Sequence, residues 1–117
     1  MPLLKSDLIW LKTKAMPYFG VKAIAIDYTE TSARWPDIWI YLDRQPPLIM
    51  VTQEWKRQNV SERRKRLVHE ILHLKGLQHG RVGRWRYDTI PFWDEFSKVV
   101  YRDIVSGGKS FGYRRFG

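Results

Sequence analysis

All three histidines of this 117-residue chain fall in one stretch, His69-Glu70-Ile71-Leu72-His73-Leu74-Lys75-Gly76-Leu77-Gln78-His79. Residues four apart on an α-helix lie one above the other on the same face. A helix here therefore sets His69 and His73 side by side, able to reach one ion at the ~2.0–2.1 Å that zinc requires. Glu70 stands about a quarter turn from that pair, given ~100° per residue. From that position its carboxylate can take a proton from a water that a metal activates. Leu67, Ile71 and Leu74 fall on the far side and are expected to pack inward. A catalytic zinc usually keeps three protein ligands and one open position. Gly76 can adopt positive φ without steric penalty and let the chain turn back, which makes His79 the expected third ligand. The chain has no cysteine, so disulfides and thiolate ligands are excluded and any metal must be held by His, Asp or Glu.

The pattern His69-Glu70-x-x-His73-x-x-Gly76-x-x-His79 matches the extended zinc signature of the metzincin metalloproteases over this window. Metzincins have a methionine turn after the third histidine, whereas Met1, Met16 and Met50 all precede it here. The chain more closely resembles the small SprT-like zincins and the single-domain metallopeptidases known as minigluzincins. That resemblance runs from VKAIAIDY to the last helix, where Pro91-Phe92-Trp93 and Asp94-Glu95-Phe96 are similar to the helix opening of that family. It implies a small zincin domain with one zinc per chain that hydrolyses peptide bonds, with Glu70 as general base. In the minigluzincins a glutamate of the later helix is the third ligand, which makes Glu95 the alternative to His79. The stretch HLKGLQH also resembles the bacterial ribosomal-RNA-maturation endoribonucleases, which typically have glycine where this chain has Glu70. A metal-dependent endoribonuclease is therefore the rival function, and a catalytically idle zinc module associated with nucleic acid is a third. Glu70 favours the peptidase.

Positioning that window requires a scaffold, and the patterning predicts an α+β domain. Residues 5–16 have helical apolar spacing and are expected to stop at Pro17. VKAIAIDY and DIWIYLD alternate as strands do, and LIMVTQEW follows as a third strand after the turn-rich DRQPP. One of these strands, LIMVTQEW being the candidate, could align an extended peptide by strand addition. Asn59 and Glu62 have the spacing of a capping box that opens a helix running to about Lys75. RVGRWRYD reads as a loop, and a last helix begins near Pro91 and ends at Ser106-Gly107-Gly108.

At this length residues 1–117 are expected to form a single domain. The start of the chain carries neither a signal-peptide pattern nor a membrane span, so no membrane partner and a cytoplasmic location are expected. The net charge of +9 admits nucleic acid as a partner through the basic surface, besides a peptide or protein substrate. The run Arg63-Arg64-Lys65-Arg66 wraps the start of the central helix and is expected to be solvated. Residues 107–117 form a basic-aromatic tail, expected to be flexible, though its make-up also suits folding over the cleft. Asp94 and Glu95 suit the first turn of a helix, and Tyr87, Tyr101 and Tyr113 could each offer a hydroxyl to a developing oxyanion.

Overall fold

The computed structural model describes residues 5–30, 37–75, 80–82, 85–87 and 90–111. The chain opens with α1 (Lys5–Trp10), a π-helical turn (Leu11–Ala15) and α2 (Met16–Phe19). The expected stop at Pro17 does not occur. A proline ring clashes with the carbonyl four residues back in an α-helix, and the wider π turn accommodates it. Gly20, at φ 67°, ends the helix instead, with the Val21 N–H donating to the Met16 carbonyl.

Three strands follow, β1 (Ala25–Thr29), β2 (Ile38–Tyr41) and β3 (Leu48–Thr52), each shorter than its alternating pattern. They form one sheet in the order β1-β3-β2, with β1 parallel and β2 antiparallel to β3. The register sets Ile26 and Ile40 beside Ile49, and Tyr28 and Ile38 beside Val51. Directly paired residues share a sheet face, so these six make the apolar side, on which Ile49 and Val51 are wholly buried. β3 is the central strand, so LIMVTQEW cannot receive a peptide by strand addition. The edges of the sheet belong to β1 and β2. Nor is 53–55 extended: Thr52 closes the strand and caps a short helix, α3 (Gln53–Lys56), by accepting the Trp55 N–H on its hydroxyl.

The helix carrying the histidine window is α4 (Val60–Leu74). Its predicted cap is present, with Asn59 Oδ1 accepting the Glu62 N–H at 2.9 Å. Only half of the capping box forms, because the Glu62 carboxylate turns to Lys65 instead. Leu67, Val68, Ile71 and Leu72 are buried against the sheet and α5 (Ile90–Val105), while Leu74 is half-buried. Two short antiparallel strands, β4 (Gly80–Val82) and β5 (Trp85–Tyr87), lie where a loop was expected. α5 contributes Phe96, Val100 and Ile104, four apart, to the same core. It ends at Gly107, φ 97°, and the Gly108 N–H then donates to the Asp103 carbonyl. A Cβ at Gly108 would lie 2.8 Å from that carbonyl oxygen, so glycine is required there.

The tail begins by docking. Phe111 donates its N–H to the Tyr18 carbonyl and sets its ring 5.2 Å from Phe19. Phe111 is thus fixed on α2; 112–117, including Tyr113, lie outside the described residues. Among the described residues no helix is long and apolar enough to cross a membrane.

Candidate metal centre

Three independent ties hold α4 in place. Asp7, on α1 and buried, takes Arg63 Nε at 2.8 Å and Arg64 Nε at 3.2 Å. Trp55 Nε1, in α3, donates to the Arg63 carbonyl at 3.0 Å inside the core. Arg66 Nη1 pairs with Asp37, at the start of β2. The basic run is therefore not a solvated helix start: Arg63 is itself buried, Arg64 also lies over the Trp10 ring, and Lys65 holds Glu62. The cause is tertiary. Asp7 and Asp37 are distant in sequence, and α1 and β2 bring them to this one helix end.

Two turns further on, the expected pair forms. The His69 and His73 rings lie with centroids 5.0 Å apart, tilted by 57°. Glu70 lies between this face and the interior: its Oε2 is 3.9 Å from His69 Nε2, and its side chain is nearly closed to solvent. One ligand atom from each of His69, Glu70 and His73 falls within 4.8 Å of the others. Ligands of a single ion at ~2.0–2.2 Å stand up to about 4 Å apart, so a small side-chain adjustment brings these atoms round one ion. Two imidazoles four residues apart on a helix are donors that suit zinc, and the Glu70 carboxylate stands close enough to act on a water at the same ion. The residues fit a metal.

The surroundings also decide how Glu70 behaves. Burial disfavours its charged form and is the largest influence, the negative Asp37 adds to it, and Arg66 opposes both. The Glu70 carboxyl is pushed up to about 8 from its usual value of 4.5. Carboxyls raised towards neutrality are suited to general acid–base work.

His79 and Gly76 lie outside the described residues. Glu95, the alternative third ligand, is exposed and does not join the cluster, although it lines the same cleft as His69. Tyr101 packs its ring on Trp10, at 5.8 Å, with its side against the core. Sequence reasoning did not single out four residues around the site: Asp37, Arg66 as a wall of the cleft, Ser97 and Lys98. Arg66 was accessible in principle, since 62, 66, 69 and 73 share one helical face. Asp37 and the α5 residues carry no local signal. Compared with known protein families, curated proteins and solved structures, the chain matches none.

Proposed function

We propose that the chain is a zinc-dependent metallopeptidase of zincin type, with His69, His73 and His79 holding one zinc and Glu70 as general base. The observation that carries this reading is the convergence of His69, Glu70 and His73, with the glutamate desolvated and His69 lining the cleft. Zinc, when bound, supplies a Lewis acid that makes water more acidic and polarises a carbonyl. Glu70 takes the proton of the attacking water and later delivers it to the departing amine nitrogen. A peptide nitrogen leaves poorly unless protonated, so this shuttle matters more for amides than for RNA, where a ribose 2′-hydroxyl can act as internal nucleophile. The tilted pair His69 and His73 orients the site, and β2, the sheet edge tied to α4 through Asp37 and Arg66, is suited to align an extended substrate.

The test is hydrolysis of a denatured protein or peptide library by zinc-loaded protein. Glu70→Gln is expected to lower the rate by ~10²–10⁴-fold, the scale of general acid–base catalysis, while retaining zinc. RNA is expected to remain uncut. Cleavage of RNA that persists in Glu70→Gln, with every peptide intact, would move the protein to the endoribonuclease reading.

A further inference from the structure

Beside the histidines, between α4 and the first turns of α5, lies a cleft of about 170 Å³. Glu62, Lys65, Arg66 and His69 line it from α4, and Glu95, Ser97 and Lys98 line it from α5. Two acidic groups near its cations are already engaged: Glu62 holds Lys65 at 2.5 Å and Asp37 holds Arg66 Nη1. Three donors are left over. Arg66 Nε and Ser97 Oγ are both buried without a hydrogen-bond partner, and Ser97 as a whole is only 2% exposed. Lys98 makes no hydrogen bond or ion pair among the described residues, although its charge is felt by Glu62. An unsatisfied buried donor costs free energy that a ligand recovers once a small side-chain rotation turns the donor to the cleft. A planar or tetrahedral oxyanion, with several acceptor oxygens, is the chemical complement of a guanidinium N–H, a hydroxyl and an ammonium group.

Size narrows the source. The volume is well below the ~300–1,000 Å³ of pockets for whole small ligands. One acidic side chain fits. His69 forms part of the wall, so the bound group would sit immediately beside the reacting centre.

We propose that this cleft is a subsite for an acidic side chain, carboxylate or phosphorylated, carried by a polypeptide next to the bond that is cut. The place of the subsite next to a cut bond rests on the peptidase reading; the binding of the anion does not. Glu95, exposed and lining the same cleft, opposes the anion and limits its affinity.

The experiment is a titration of the full chain with N-acetylglutamate amide, N-acetylphosphoserine amide and N-acetylglutamine amide, followed by the backbone amide signals of 65–69 and 95–98. Both acidic probes, but not the glutamine probe, are expected to shift these signals, and the tighter of the two identifies the source. Lys98→Gln should weaken acidic binding about tenfold, the effect of losing one charge-assisted contact. Glu95→Gln should tighten it several-fold, an opposite sign that general loss of structure cannot produce. Equal binding of the glutamine and glutamate probes would overturn the subsite, as would indifference to both substitutions. A peptide library then reads the catalytic consequence separately. If no peptide is cut while acidic probes still bind, the peptidase reading fails and the subsite stands. If peptides are cut with no preference for acidic residues and no acidic probe binds, the subsite fails and the peptidase stands.

Discussion

Removing the metal should leave a pH-dependent weakness at Glu70. In the metal-free chain its carboxyl is pushed up to about 8, against 4.5 for an ordinary glutamate, mainly because it is buried. A carboxyl whose folded pKa is raised stabilises the fold fully only below the unfolded value. That contribution is lost progressively from pH 4.5 towards 8, because the folded form retains a proton that the unfolded form gives up. A gap of about 3.5 units at 1.36 kcal/mol each gives a loss on the order of 5 kcal/mol. In Glu70→Gln a neutral amide replaces the carboxyl, so this loss disappears. The assay is thermal unfolding of both proteins in EDTA at pH 5 and pH 8.5, compared at equal pH so that other titrations cancel. The two should melt together at pH 5. At pH 8.5 the variant should melt higher, by roughly 10–20 °C at about 4 °C per kcal/mol for a domain of this size. Saturating zinc should narrow or reverse the gap, since an adjacent cation favours the charged carboxylate. Parallel pH dependence of the two metal-free proteins would refute the desolvation of Glu70.

Other perturbations test the scaffold and the ligands. Asp7→Ala leaves Arg63 charged and buried without its partner, and urea unfolding should show a loss of about 3–5 kcal/mol. Phe111→Ala removes the ring from Tyr18 and Phe19 and should cost ~1–3 kcal/mol in stability, read by urea unfolding. Zinc content after dialysis should fall strongly in His69→Ala, His73→Ala and His79→Ala and little in Glu95→Ala; the reverse order for the last two would make Glu95 the third ligand. RNA binding, if measured, should weaken steeply with salt and should be insensitive to Arg63→Lys, because Arg63 is occupied by Asp7 inside the fold.

What the sequence made legible was local. Asn59 before an apolar helical period announced α4, and the spacing of His69, Glu70 and His73 then settled that they meet. Alternation marked the three strands, but their ends depended on pairing: β1 begins only at Ala25, where its partner β3 begins at Leu48. Gln53–Lys56 carried no periodic signal, and its helix follows from the Thr52 cap. The basic run carries no local sign of its pairing, for a different reason. Its partners, Asp7 and Asp37, stand 56 and 29 residues away from Arg63 and Arg66, and only the packed fold brings them together. The same distance effect hid the walls of the anion cleft, where Ser97 on α5 faces a groove completed by α4.

The most direct test of the metal centre is the coordination of zinc in the loaded protein, read by X-ray absorption at the zinc edge. One zinc per chain should be held by three imidazole nitrogens at ~2.0–2.1 Å. The remaining position should be filled by an exchangeable oxygen, and the spectrum should be essentially unchanged in Glu70→Gln. A first shell that loses an oxygen in Glu70→Gln would instead make the glutamate a ligand, and a chain that binds no zinc would contradict the account outright.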